Sequence, residues 1–320
     1  MINCRICNNA HGNRVHTAKE MMYGTRDEFD YLECGECGCV QAAEIPYDMS
    51  EYYPENYYSL TLERENFFLR LLKRRRATQA MGGDTVIGRL LVQIWGIPPI
   101  LEWLRPVGIT QDSSIFDVGT GAGQLLLDMN NIGFSDTLGI DPFLDHDLNY
   151  GSGTRILKKE LSEITGVFDL IMFHHSFEHM PDPLDALRDA NRLVPLGGKV
   201  LIRIPIAGTY AWKTFQTDWV QLDAPRHLFL HTNKSMEMLA AECGFKIEHI
   251  VHDSSAFQFW GSIQYQRGIP LKDERSYGLN PKQPIFSRAE IDEFEKKAIE
   301  LNELQDGDQA CFYLRKTKSA

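Results

Sequence analysis

In the stretch FDVGTGAG, residues 116–123, glycines stand at three alternate positions, Gly119, Gly121 and Gly123, behind Asp117 and a short apolar run. Glycine lets a backbone approach a ligand where a Cβ would collide, and a turn after a first strand borders the ligand crevice of an open α/β sheet. Asp141 follows Gly119 by 22 residues, at the end of a second apolar run, LGIDP. A carboxylate there accepts hydrogen bonds from both hydroxyls of a ribose, so the expected cofactor carries one. The dinucleotide fingerprint G-x-G-x-x-G needs glycine at 124, where the chain has Gln124. A turn whose third glycine comes one residue early suits an amino-acid moiety better than a pyrophosphate.

The second group is HHSFEHMPDP, residues 174–183, which follows the apolar run FDLIMF. It holds His174, His175, Glu178 and His179. An imidazole near its ordinary pKa of ~6.5 accepts a proton at neutral pH without large tuning. Three histidines close together after a strand therefore point to general-base chemistry. His179 is the first candidate base, with Glu178 positioning the reacting partner or tuning a neighbour. The bland alternative for His179 is a cap on the helix starting near Asp182. His174 is a further candidate, and His175 is expected to face away because neighbours on a strand alternate. The rival base is His227, in APRH, residues 224–227. Its neighbour Arg226 suits an acceptor phosphate or carboxylate, or else a salt bridge at the next helix.

The third group is the cysteines. Cys4 and Cys7 form one C-x-x-C, Cys34 and Cys37 another, with 26 residues between Cys7 and Cys34. Each knuckle brings two thiolates to one ion, so the spacing predicts a metal held by Cys4, Cys7, Cys34 and Cys37, and resembles a zinc ribbon. Iron is the alternative ion. His11 and His16 are alternative ligands but are expected on the loop surface. Four thiolates leave no open position, which implies structure rather than catalysis. Cys39, Cys243 and Cys311 stand outside the pattern.

The elements that must position these groups follow from pattern. Strand-like apolar runs (SIFDVG, DTLGIDP, TRILKKE, FDLIMFHH, GGKVLIRIP, FKIEHIVHD, QACFYLRK) alternate with helical segments from residue 113 on. That alternation predicts an α/β fold with a doubly wound, mostly parallel sheet. Asp182 is placed to cap the helix DPLDALRDANRLV, and Thr232 or Asn233 the helix ending at Gly244. The expected domains are 1–60, a metal-binding domain; 61–112, a helical connector; and 113–320, a cofactor-binding domain with an insertion at 256–309 carrying one polar helix. In the connector, residues 63–80 read as a helix with Phe67, Leu71 and Leu72 on one side, and 86–104 as helical up to Pro98. The tyrosine-rich stretch at 47–60 reads as packing between domains. Net charge is −11, which argues against a nucleic-acid partner, since phosphate binding needs a basic face. The run Lys73–Arg76 reads as a solvated face, and segment 67–104 offers a second reading as a peripheral membrane contact. The opening residues lack a basic region before an apolar core, so no secretory leader is expected, and the cytoplasm is the expected compartment.

Taken together, FDVGTGAG, LGIDP and FDLIMFHHSFEHMPDPLDALRDANRLVPLGGKVLIRIP resemble the class I S-adenosylmethionine-dependent methyltransferases. YYPENYYS, DWVQLDAPRHLFLHTNKSMEMLAAECGF and the N-terminal cysteines resemble a subgroup with a zinc ribbon, which includes sugar C-methyltransferases and relatives in glycan gene clusters. The likeness implies a seven-stranded Rossmann-like sheet of order 3-2-1-4-5-7-6, with S-adenosylmethionine and structural zinc as cofactors. By the same likeness Gly119, Thr120, Gly121 and Gly123 line the methionine part. Asp117 supports the loop or meets the ammonium, Asp141 the ribose, and Glu160 with Leu161 the adenine. The implied reaction is methyl transfer to a small polar acceptor, a sugar or glycan precursor, with a histidine base. Two other readings stand beside it: a zinc-ribbon interaction module whose sheet binds cofactor without catalysis, and an NAD-dependent dehydrogenase.

Overall fold

The computed structural model describes residues 2–54, 67–150, 153–280 and 285–320. Most of the YYPENYYS likeness, from Glu55 on, lies outside them. The chain opens with three strands, β1 (Arg14–Lys19), β2 (Glu28–Glu33) and β3 (Val40–Ala42), paired antiparallel in sequence order. Three helices follow: α1 (Phe67–Ala80), α2 (Val86–Trp95) and α3 (Pro99–Leu104). The Thr85 hydroxyl accepts from the Gly88 amide to cap α2, and Gly96, at φ 71°, ends it. The helix expected to run to Pro98 therefore stops at Trp95, and Pro99 begins a new one. On α1, Leu71 of the expected apolar side is 42% exposed.

The remaining elements are β4 (Ile115–Val118), α4 (Gln124–Asn131), β5 (Thr137–Ile140), β6 (Leu148–Asn149), β7 (Arg155–Leu157), β8 (Leu170–His174), α5 (Pro183–Leu193), β9 (Lys199–Pro205), α6 (Tyr210–Phe215), β10 (Phe229–Leu230), α7 (Asn233–Glu242), β11 (Phe245–His252), α8 (Phe257–Gln266), α9 (Arg288–Glu303) and β12 (Gln309–Lys316). The main sheet has the order β11-β12-β9-β8-β4-β5-β7-β6. Strands β7, β5, β4, β8 and β9 are parallel, and β12 runs antiparallel to both of its neighbours. This is a Rossmann-like α/β architecture with eight strands where seven were expected. The addition is β6, a two-residue strand that turns back antiparallel on β7. The insertion also differs: α8 joins the expected polar helix, α9, and buries Phe259 and Tyr265.

Both faces of the sheet are covered, which is why its strands read as unbroken apolar runs. Phe116, Val118, Ile171, Phe173 and Ile202 pack under α5 and α7. Ile115, Leu170, Met172 and Leu201 pack on the other face, under α3 and α4. A third core joins Tyr31 and the cysteine knuckles to Trp212, Trp219, Phe229 and Phe259. There β10 pairs antiparallel with β3, so the N-terminal sheet takes its fourth strand from the loop region after β9. Among the described residues no helix is long and apolar enough to cross a membrane.

Candidate functional site

The glycine turn leaves β4 with φ of 72° at Gly119, 57° at Gly121 and 86° at Gly123. These values lie in the left-handed region, which side chains other than glycine's enter at a cost. Packing adds a second reason. A Cβ on Gly119 would stand 2.5 Å from Cβ of Ser176, and one on Gly123 would stand 2.7 Å from Cδ1 of Ile156. Besides the ligand approach expected of them, Gly119 and Gly123 let the turn fit against the loop after β8 and against β7.

Two carboxylates flank the turn. The amides of Gly121 and Phe143 donate to Oδ2 and Oδ1 of Asp141, each at 2.9 Å. Each oxygen keeps a second lone pair, so the carboxylate still offers acceptors on both oxygens. Burial raises its pKa against the pull of those amides. Asp117, only 2% exposed, has an Oδ1 with no hydrogen-bond partner, and the Thr120 hydroxyl also lacks one. Burial pushes the Asp117 carboxyl up to about 7; the nearby Thr120 hydroxyl opposes this and the Asp141 charge adds to it. Glu160 caps the short turn after β7, with the Glu163 carboxylate accepting from its amide at 2.7 Å. Leu161 packs into the core under α5.

The loop after β8 and the loop before β10 bring Glu178, His179 and His227 together, with one ligand atom from each within 4.8 Å of the others. Nδ1 of His179 lies 2.8 Å from the carbonyl oxygen of Arg226, and Nδ1 of His227 lies 2.7 Å from that of Gln221. A carbonyl only accepts, so Nδ1 carries a hydrogen in each ring, and the neutral form of either ring has its lone pair on Nε2. The two rings meet edge to face, their centroids 4.8 Å apart. Burial lowers the pKa of His179, the neighbouring His227 ring adds to this when it is protonated, and Glu178 opposes it. Glu178 is fully buried, which pushes its pKa up, but the His175 N–H facing it and the positive charge that His179, His227 and His175 carry when protonated outweigh burial and hold it below the usual carboxylate range.

Two sequence candidates fall elsewhere. His174 lies on the face of β8 opposite Phe173, with its ring 4.7 Å from that of Trp103, and Arg203 donates to its Nε2 at 3.3 Å. Burial holds it neutral, far below its ordinary pKa. It does not join the three-residue cluster, because strand alternation turns it toward α3. His175, expected to face away, instead takes φ 54°, and its Nδ1 comes to 3.5 Å from Glu178. Arg226 is not free for an acceptor. It is fully buried and bound to Asp223 at 2.6 Å and Glu20 at 2.9 Å.

Sequence reasoning missed Tyr53 and Phe143. The Tyr53 hydroxyl is 3.3 Å from Nδ1 of His179, and its ring stacks on that of Phe143 at 6.2 Å. Phe143 is 78% exposed, two residues after Asp141. The tyrosine-rich stretch was the signal for Tyr53, and it was read only as packing.

The four knuckle cysteines converge. Sγ of Cys4 is 3.6 Å from that of Cys37, and Sγ of Cys7 is 3.5 Å from that of Cys34. These separations are far longer than a disulfide's ~2.05 Å and close to the roughly 3.8 Å between sulfurs of a tetrahedral zinc site with 2.3 Å bonds. His16 is instead bonded to Glu33 at 2.8 Å, and His11 is exposed.

Residues 89–250, half of the chain, match the family described as "Methyltransferase domain". No curated protein matches the sequence. Among solved structures, one of a putative sarcosine dimethylglycine methyltransferase from Galdieria sulphuraria is 14% identical, covering 77% of this chain and 98% of that one, with a TM-score of 0.45. A cyclopropane synthase from Mycobacterium tuberculosis is 15% identical, covering 68% of this chain and 84% of its own, with a TM-score of 0.43.

Proposed function

Because the chain belongs to the methyltransferase-domain family, we propose that it transfers the methyl group of S-adenosylmethionine to a small polar acceptor of sugar type. The observation that carries this reading is the meeting of two acceptor-rich sites at the carboxyl ends of neighbouring strands, the glycine turn after β4 and the Glu178–His179–His227 cluster after β8. The cofactor fits the residues present. The orphaned Oδ1 of Asp117 suits its ammonium, the remaining lone pairs of Asp141 suit the ribose hydroxyls, and the segment at Glu160 and Leu161 lies after the next strand, where an adenine would rest. When bound, it supplies a methyl group already activated by the sulfonium charge.

The protein's own task is then to align the acceptor and relieve it of a proton. A cluster of lone pairs suits a polyol, whose hydroxyl hydrogens each need an acceptor. Proton removal belongs to this cluster, with His179 first and His227 second, since both present an unblocked Nε2. Tyr53 and Phe143 form a stacked aromatic wall beside it. Zinc at the four cysteines is the structural ion of this reading, and the sulfur separations support it.

The test is turnover of S-adenosylmethionine to S-adenosylhomocysteine with a panel of nucleotide sugars and free glycans. His179→Ala should cut turnover by ~10²–10⁴-fold while cofactor affinity stays near wild type. A collapse in His227→Ala with near-normal His179→Ala would move the proton's first stop to His227. Normal turnover in both variants would remove the acceptor from this cluster.

A further inference from the structure

We infer that Glu178, His179 and His227 form a binding site for a divalent transition-metal cation. The inference rests on reading this cluster as the acceptor site, and it gives the two histidine lone pairs a second partner besides a proton.

Both oxygens of Glu178 are buried and lack a hydrogen-bond partner. The rings of His179 and His227 have spent their hydrogens on the carbonyls of Arg226 and Gln221, so each turns a lone pair outward from Nε2. Nε2 of His227 lies 3.9 Å from Oε1 of Glu178 and 3.9 Å from Oδ2 of Asp223, two more acceptors. Among the described residues, the ring hydrogen that comes near Glu178 is on Nδ1 of His175, at 3.5 Å, beyond a good bond. The nearby arginines offer no relief: half-buried Arg203 is paired with Asp253, and buried Arg226 with Asp223 and Glu20. Among the described residues no well-placed donor joins these acceptors, which therefore repel one another, and while both rings are neutral the buried carboxylate needs a compensating charge. A cation answers both needs at once.

The surroundings also match those of metal ligands. Ligating histidines commonly donate the other ring N–H to a carbonyl or carboxylate, which fixes the tautomer and the ring's orientation. Both rings here do so, from two different loops. Two imidazole nitrogens and one carboxylate suit first-row divalent ions, whereas magnesium and calcium prefer all-oxygen sets. Ligand atoms around one such ion lie about 3–4 Å apart given bonds of 2.0–2.2 Å, so spacings within 4.8 Å need only a small inward movement. Three protein ligands leave positions open, and an acceptor hydroxyl is the group that would fill one.

Manganese is the selective probe, because it is hard and binds weakly to thiolates, so it ignores the cysteine knuckles. The intact protein, with its cysteine site loaded, is titrated with Mn²⁺ and the free ion followed by electron paramagnetic resonance. One Mn²⁺ per chain is expected, with affinity at least roughly tenfold weaker in Glu178→Gln and in His227→Asn. Unchanged S-adenosylmethionine affinity and melting temperature in Glu178→Gln, which keeps size and shape, show that the fold is intact. No Mn²⁺ binding, or binding equal in all variants, overturns the cation site. If Mn²⁺ fails to bind while Glu178→Gln loses turnover, the acceptor site stands without the cation. If Mn²⁺ binds and the variant still turns over, the cation site stands and the acceptor lies elsewhere.

Discussion

Asp117 and Asp141 stand two hydrogen-bonding environments apart although one turn separates them. Asp141 already accepts two amides, whereas Asp117 is buried with an unpartnered oxygen and a pKa pushed up to about 7. An ammonium ligand binds the ionised form, so S-adenosylmethionine affinity should fall by up to about tenfold per pH unit below pH 7 and level off above it. Asp117→Asn should bind more weakly at pH 8 and show no such slope; calorimetry across pH 5.5–8 checks both, with Asp141 and Thr120 as the other groups facing the site. The raised pKa has a stability side. The folded state keeps this proton longer than the unfolded one, so the contribution is fully present below pH ~4 and is lost as pH rises through 7. Asp141→Ala should weaken cofactor binding by roughly 1.5–3 kcal/mol and keep a pH slope, because Asp117 is intact in that variant. At this scale the sequence was informative about residue type and spacing: the three glycines, Asp141, and Glu178 with His179 are local in sequence and local in space. It was blind to facing. His174 and His175 are neighbours, yet one meets Trp103 and the other meets Glu178, because a single positive φ at His175 breaks the alternation.

Among the elements, the long covered ones were legible because their patterns are strong. Strands β4, β8 and β9 are buried on both faces, and α5 carries the Asp182 cap, whose carboxylate accepts from the Asp185 amide. Strand β6 was not, since two residues carry no periodicity, and α8 was not, since its Gln258, Ser262 and Gln264 are buried polar residues that read as surface. The α1–α2 pair breaks the ordinary rule in the opposite direction. Val86, Leu90 and Ile94 recur at four-residue spacing on α2, and they are 76%, 55% and 63% exposed, beside Phe68 at 72%. Six basic and two acidic residues lie between 67 and 104, in a chain of net charge −11. An apolar stripe edged with arginine suits an anionic lipid surface, and like charge disfavours two copies meeting face to face on this stripe. We therefore expect co-sedimentation with phosphatidylglycerol vesicles at low salt, little with phosphatidylcholine alone, and loss in Leu90→Glu/Ile94→Glu. Equal recovery with both lipids, or a concentration-dependent dimer that the double variant abolishes, would set this surface aside.

In the whole molecule the N-terminal knuckles and the loops that carry Glu178, His179 and His227 form one structure. Strand β3 pairs with β10, Glu20 is ion-paired with Arg226 in a fully buried contact, and the Tyr31 hydroxyl donates to the His227 carbonyl at 2.9 Å. The carbonyl of Arg226, in turn, holds Nδ1 of His179. None of this was legible in the sequence, because the contacts join residues some 200 positions apart and no local pattern encodes them. They change what the cysteine site is expected to do. Three short strands have little area of their own, so an ion at the four cysteines would supply much of their stability. The cofactor turn, by contrast, is held by β4, β5, β7 and the Ser176 loop, with no cysteine knuckle among its contacts. Stripping the metal, or Cys34→Ser, should therefore lower the melting temperature and cut methyl transfer by at least roughly tenfold, since the loops that orient His179 and His227 lose their backing. S-adenosylmethionine affinity should stay within about threefold of wild type, because the glycine turn keeps its own supports. Elemental analysis, calorimetry with the cofactor and turnover on the same preparation separate the two effects. Loss of cofactor binding in parallel with turnover would mean that the ribbon supports the whole sheet, whereas unchanged turnover after complete metal loss would mean that β10 and the buried Arg226–Glu20 pair hold the site without it.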